Sequence, residues 1–466
     1  MSDQIEQVSE QGFGSSLMES IKGVAIGGLL FFFSFWVLWM NEGRVDLSEV
    51  AKKSVAVKAD SVDKSAEGKF VSVTGDLKTD AKVEDPELLQ AGDYITLDRQ
   101  VEMYAWVERK NREEKKKLGG GKEIKTTFTY EKKWTNEPWP PAKFEYAKGH
   151  ENPSLPIQSQ SFSAPKATIG AYSFKPGDAQ LPDGEQLRLT DDMIKSGAAA
   201  KADDKAAPEK AEGDKAEGDK AEGDKADGDK AEKADKADKK DDAADEEKST
   251  KKKKSKKRHG RRVRNKPTAT EKAAAAGDAA TKAAAIAANK PAGYTRASDT
   301  FLFRGTGSLD SPEIGDVRIG FRALKPGVQV TLFGTQKDSE VQPYVSAKDD
   351  VKLFRALPGS REEAIRTLAT EHKTTTWILR LIGFLMMWFG LMMFFGPINA
   401  LLDVIPFLGS AGRFLIGIAM FPVALVLSGF TILLSMIFHN TILLVLFLVA
   451  MGAGGFFLYQ KKKKGV

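Results

Sequence analysis

Few side chains in this sequence are placed to do chemistry. There are four histidines, His150, His259, His372 and His439, and no cysteine. Thiolate nucleophiles, disulfides and cysteine metal sites are therefore excluded. The histidines lie far apart and lack the HExxH spacing that would set two imidazoles on one helix face. No Walker loop and no GxSxG elbow occurs. Leu118-Gly119-Gly120-Gly121 lies between charged residues and reads as a hairpin loop, not a phosphate cradle. We expect no enzyme, cofactor or metal site. The polar groups that stand out are Arg380, Asn399, Asp403 and Arg413, which sit in or beside long apolar runs. Ionisable groups at membrane depth are costly and often functional. Asn399, Asp403 and Arg413 bracket the connector Ala400–Phe407. There Asp403 is expected at headgroup level, exposed or paired with Arg413, with ion or ligand sensing as the alternative.

Those runs define the architecture. Residues 1–22 are polar and read as a cytoplasmic tail. Gly23–Met40 is almost wholly apolar and meets the lower limit for a helix that crosses a bilayer. Its leader is acidic and no small-x-small site follows, so a retained anchor is expected rather than a cleaved signal peptide. Three more spans are expected at 377–396, 414–438 and 441–459, with 397–413 as an interfacial or re-entrant connector. Pro422 is a candidate kink, and His439-Asn440 marks a tight hairpin between the last two. Gly383 and Gly390, and Gly452 with Gly455, are candidate helix-packing positions, because small residues let helices approach closely.

Residues 41–197 and 292–373 alternate in the strand period. Candidate strands lie at Phe70–Thr74, Val101–Val107, Thr126–Trp134, Ala171–Phe174, Phe301–Arg304, Val317–Phe321 and Val328–Phe333. Between the two parts, residues 198–291 collapse to Ala, Lys, Asp, Glu and Gly, with a five-residue repeat at Lys210, Lys215 and Lys220 and a basic run over 251–262. Without an apolar face to offset chain entropy, disorder is expected there, with nascent helix at Ala273–Ala288. The fold class read from the sequence is thus a four-span α-helical membrane protein with a β-rich extracytoplasmic domain interrupted by a disordered insertion.

The net charge of +6 is small for 466 residues, so pattern matters more than total. Residues 460–466, which contain Lys461–Lys464, read as a basic cytoplasmic tail by the positive-inside rule. Four spans then return the N-terminus to the cytoplasm and place the domain outside. The basic run would lie in that translocated part, so it reads as a solvated linker, and no nucleic-acid partner is expected.

Several short stretches, in order, resemble the LUMA proteins, also called transmembrane protein 43. They are Asn41-Glu42-Gly43-Arg44 after the first span, Val101-Glu102-Met103-Tyr104 with Trp106-Val107-Glu108, Glu151-Asn152-Pro153-Ser154, and Pro312 to Arg318 with Gly315-Asp316. Lys373-Thr374 with Thr376-Trp377 and Leu379-Arg380, and Asp403 with Pro406, complete the set. Glu42 and Arg44 are expected to anchor the helix end or pair with the domain. The resemblance implies four spans, a large lumenal or periplasmic domain and no known catalysis. Animal members sit in the endoplasmic reticulum and inner nuclear membrane and are linked to membrane organisation and protein complexes. They lack the low-complexity insertion, which points to a bacterial member in an inner membrane. The expected partners are the lipid bilayer, other membrane or envelope proteins and a second copy of the chain. A scaffold is the preferred function and a ligand sensor the alternative.

Overall fold

A computed structural model describes residues 3–118, 120–195, 260–263, 267–290, 293–346, 351–402 and 406–464. Eight strands carry the argument: β1 (Asp3–Gln11), β2 (Phe70–Lys78), β3 (Thr96–Lys116), β4 (Lys122–Thr135), β5 (Phe301–Arg304), β6 (Val317–Leu324), β7 (Gln329–Lys337) and β8 (Arg355–Pro358). The helices are α1 (Phe13–Glu42), α2 (Leu47–Lys52), α3 (Ala269–Ala288), α4 (Arg361–Phe394), α5 (Gly396–Leu402), α6 (Pro406–His439) and α7 (Thr441–Lys464).

The candidate strands form; Phe301–Arg304 keeps its bounds, Ala171–Phe174 begins at Tyr172, Val328–Phe333 becomes Gln329–Lys337, and the others are longer than expected. β1, β4, β3, β6 and β5 lie side by side in the first sheet, with Gly260–Val263 beyond β1. The second sheet centres on β2, β7 and β8. Alternation decides which side chains are buried. Val101, Met103 and Ala105 of β3 join Ile319 and Phe321 of β6 in one core, while Val71, Val73, Val330 and Leu332 fill the other.

The second sheet also roots a membrane helix. Ser360 and Glu363 form a capping box that starts α4. Ala364, Ile365 and Leu368 then pack with Phe333, Leu357 and Ala51 of α2. Arg361 donates to Ser72 Oγ at 3.0 Å and to the Lys52 and Ser54 carbonyls that end α2. From this base α4 continues without a break into its apolar part.

Among the described residues, three helical stretches are long and apolar enough to cross a membrane: Phe13–Lys52, Arg361–Phe394 and Ala411–His439. α1 and α4 pack closely at the expected glycines. A Cβ on Gly390 would stand 2.8 Å from the Gly27 carbonyl oxygen, and one on Gly383 would meet the Leu38 side chain. Gly27 answers Gly390 across the contact. Leu38, Met387 and Ala424 form the centre where α1, α4 and α6 meet.

Four expectations need correction. Residues 1–22 are not a free tail: β1 pairs with β4 along its whole length, and α1 begins at Phe13. Ile5 is buried against Phe128 and Tyr130, and Glu6 and Glu10 pair with Lys125 and Lys117. The expected first span, 23–40, is therefore only part of a helix of 30 residues. The insertion is narrower than 198–291, because α3 is capped by Thr268 and Glu271 and buries Ala279 and Ala283; the repeat itself lies outside the described residues. The connector 397–413 divides into α5 and the opening turns of α6, and α6 runs on through Pro422. The expected fourth span, 441–459, falls within α7; its described apolar part, Thr441–Gly454, leaves Ile442, Val445, Leu446, Leu448 and Val449 exposed. A Cβ on Gly452 would meet nothing within 4 Å among the described residues.

Candidate functional site

The motif that leaves α1 is a clamp. Asn41, Glu42 and Gly43 end the helix where α4 and α6 come alongside. Arg380 of α4 grips Glu42 with two parallel bonds, Nε to Oε1 at 2.8 Å and an outer guanidinium nitrogen to Oε2 at 2.7 Å. This fork geometry is the strong form of the ion pair. Asn41 is buried and donates from Nδ2 to the Thr376 carbonyl at 3.1 Å. Arg44 turns back onto Asn41 Oδ1. α6 closes the third side: Ser435 Oγ donates to the Trp39 carbonyl at 3.0 Å, and the His439 ring lies edge-on to Trp39. Gly43 is needed because a Cβ there would sit 2.5 Å from His439 Nε2. Arg380 and Glu42 were each legible as notable, but their pairing was not, since 338 positions separate them.

The domain motifs converge on a second centre. Asp316 is fully buried. Its carboxylate accepts from the backbone N–H groups of Thr306, Gly307 and Glu313 and from Lys290 Nζ at 2.6 Å. Gly315, at φ 86°, makes the turn before it, with Pro153 within 2.9 Å of where a Cβ would stand. Asn152 copies a strand neighbour: its Oδ1 accepts from the Trp106 N–H at 2.8 Å and its Nδ2 donates to the Trp106 and Trp139 carbonyls. Glu102 and Arg318 pair across β3 and β6 at 2.7 Å, and Arg318 lies over the Trp134 ring. Lys290 gave no signal because it ends a low-complexity stretch. The buried Arg99–Asp85 pair, at 2.9 Å, was also missed.

His150, scattered in sequence, is not isolated in the fold. Its ring stacks on Tyr130 with centroids 3.5 Å apart, and Nδ1 lies 2.8 Å from the Tyr146 carbonyl, which can only accept. Nε2 faces Asp3 of β1 at 3.6 Å. Tyr130 OH donates to Glu108 at 2.8 Å, and burial together with that carboxylate pushes its ionisation well up. Burial lowers the His150 pKa, against the Tyr146 carbonyl and Asp3, which favour the cation. Below the ordinary histidine pKa, near 6.5, the unfolded chain takes up a proton that folded His150 resists. Stability therefore falls with pH from there until the folded group itself titrates. His150→Phe is expected to flatten the pH dependence of the urea midpoint between about pH 7 and 5; an unchanged slope refutes this account.

The remaining membrane candidates lie along α5 and the first turns of α6. Asn399 is buried on α5, with its backbone N–H on the Phe395 carbonyl. Arg413 lines a groove between α4 and α6. Asp403 lies outside the described residues, as do the surroundings of Gly455. Among the described residues no group of three or more His, Cys, Asp or Glu side chains is placed to hold a metal ion.

A family model for transmembrane protein 43 matches residues 103–212 and 248–441, well over half of the chain. Transmembrane protein 43 of Homo sapiens is 31% identical over 180 residues, covering 37% of this chain and 45% of the human protein. The protein of the same name from Pongo abelii is 32% identical over 178 residues, covering 36% and 44%. That of Mus musculus is 31% identical over 175 residues, with the same shares. The chain thus aligns with less than half the length of these relatives. No solved structure matches.

Proposed function

Because the chain belongs to the transmembrane protein 43 family, we propose that it is a multi-pass membrane scaffold whose β-rich domain holds other membrane or envelope proteins outside the cytoplasm. The observation that carries this reading is the rigid root of the bundle. α4 starts in the domain core and is clamped to α1 by Glu42 and Arg380 before it turns wholly apolar. A domain fixed in this way presents its surface at a set height above the bilayer. A groove lined mainly by polar side chains such as Asp98, Gln160 and Arg322 supports the same reading. A sensor is the second reading, favoured by the unbroken course of α4, which would carry a shift from domain to bundle. Neither reading gives the protein a catalytic step.

The proposed topology has α7 as a fourth span, Lys461–Lys464 in the cytoplasm and the domain in a bacterial periplasm, or else in the lumen of the endoplasmic reticulum or inner nuclear envelope. β1 bears directly on this. It is bonded to the domain's own sheet, whereas a cytoplasmic N-terminus needs it released from β4. The chain has no cysteine, so one pair placed at the facing positions Gln7 and Thr126 reads the arrangement cleanly. The cytoplasmic N-terminus requires that no disulfide form in intact membranes; a quantitative disulfide would overturn it. For the scaffold itself, crosslinking in membranes followed by mild-detergent purification should recover stoichiometric partner proteins. Recovery of an isolated chain, or of the chain with copies of itself alone, counts against it.

A further inference from the structure

We propose that the outward face of the first sheet carries a binding groove for a free α-amino acid with a large apolar side chain. The inference goes beyond the scaffold reading and stands on the β-rich domain alone, whichever side of the membrane it faces. Two adjoining hollows of about 380 Å³ each make up the groove, within the range of small-ligand sites. They share Asp98 and Asp183. The first hollow adds Arg322, and the second adds Phe162, Leu181 and Pro182.

Alternation sets the floor. Leu97, Arg99 and Val101 of β3 are buried, so Asp98 between them faces out. Arg322 of β6 stands directly opposite Asp98. Opposite charges at such a position commonly pair across the strands. Here Arg322 is drawn aside. Gly184 lets its segment press onto β6, because a Cβ there would stand 2.5 Å from the Ala323 backbone. Arg322 Nε then donates to the Gly184 carbonyl at 2.8 Å. Among the described residues, Asp98 and Asp183 have no side-chain hydrogen bond or ion pair, and Arg322 has no ion pair. The other charge in the groove, Arg99, is buried on Asp85 at 2.9 Å. Three charges of both signs are thus open to one groove.

Their order along the groove matches one kind of ligand. The guanidinium lies in the first hollow, the carboxylates at the junction and the apolar side chains in the second. With Nε engaged, the outer guanidinium nitrogens are left to hold a carboxylate. Asp98 and Asp183 take the ammonium. The ligand side chain then lies beside Phe162, Leu181 and Pro182, all half-buried. A neutral sugar would leave all three charges unmatched. A simple amine or a simple carboxylate would match only one sign.

The test uses the full chain in mild detergent and measures Kd by ligand-observed nuclear magnetic resonance. The probes are L-leucine and three molecules that each lack one of its parts: isoamylamine the carboxylate, 4-methylpentanoate the ammonium, and glycine the side chain. L-Leucine should bind roughly tenfold tighter than each, the step that corresponds to about 1.4 kcal/mol. The double variant Asp98→Asn with Asp183→Asn should bring leucine to the level of 4-methylpentanoate. Arg322→Gln should bring it to that of isoamylamine, and Arg322→Lys should keep part of the difference. The two aspartates make no bond within the described fold, so their replacement should leave the urea midpoint unchanged and read the site alone. The proposal is overturned if leucine shows no saturable binding, if any of the three partial molecules binds as tightly, or if the double variant keeps the affinity for leucine.

Discussion

Asp316→Ala is expected to lower the stability of the β-rich domain by about 3–5 kcal/mol, the usual loss when one partner of a buried ion pair is removed. That is a large share of the roughly 5–15 kcal/mol that holds an ordinary domain together. The reason is what alanine leaves behind. Three backbone N–H groups, of Thr306, Gly307 and Glu313, lose their acceptor, and the Lys290 ammonium, only 6% exposed, loses its buried counter-charge and keeps Thr306 Oγ1 at 2.8 Å and the more distant Glu313 carboxylate. Each orphaned donor costs on the order of 1–3 kcal/mol. Lys290→Met is expected to cost less, because the carboxylate keeps its three backbone donors. The double variant should stay close to Asp316→Ala, since no hydrophobic replacement can satisfy those N–H groups. Urea unfolding of the full chain in detergent, followed by near-ultraviolet circular dichroism of Trp106, Trp134 and Trp139, measures all three. Equal effects of the two single variants, or full recovery in the double, would show that the ion pair and not the backbone cradle sets the stability.

The comparison of Asp316 with Lys290 also shows where sequence reading stops. Strands were legible because burial alternates with period two, as in Val101, Met103 and Ala105. The spans were legible because lipid demands long apolar runs, and the glycines Gly383 and Gly390 were legible because close helices demand missing side chains. The clamp was half legible. Glu42 and Arg380 each stood beside an apolar run, but partnership depends on the antiparallel register of α1 and α4, which no local pattern encodes. β1 was illegible for another reason. Its residues are polar, and a strand that docks by backbone bonds and by the pairs Glu6–Lys125 and Glu10–Lys117 needs no apolar pattern. α3 misled through composition: an alanine-rich helix buries only the small faces of Ala279 and Ala283 and holds on by Lys272–Glu145, Lys282–Glu151 and, just beyond it, Lys290–Asp316.

Arg380→Met is expected to cost the helix bundle about 3–5 kcal/mol, more than Glu42→Gln. The asymmetry follows from exposure. The Glu42 side chain is 6% exposed and, without Arg380, keeps the Asn41 Nδ2 donor at 3.3 Å among the described residues. Arg380 is 21% exposed and lies over the Trp377 ring, so without Glu42 its guanidinium still has a cation–π contact and a short route to water. Removing both charges should recover most of the loss, because an apolar or neutral pair carries no desolvation penalty into the junction. The order of stability is then wild type, the double variant, Glu42→Gln and Arg380→Met. Reversible denaturant titration in lipid–detergent micelles, read by the fluorescence of Trp39 and Trp377, gives the four values of a double-mutant cycle. Strict additivity would mean that the two side chains act separately, and α4 would then be held to α1 by the glycine contacts at Gly27, Gly383 and Gly390, the Leu38–Met387 packing and the Asn41–Thr376 bond. A coupled result places the decisive link between domain and bundle in a single fork of hydrogen bonds at the level where α1 ends.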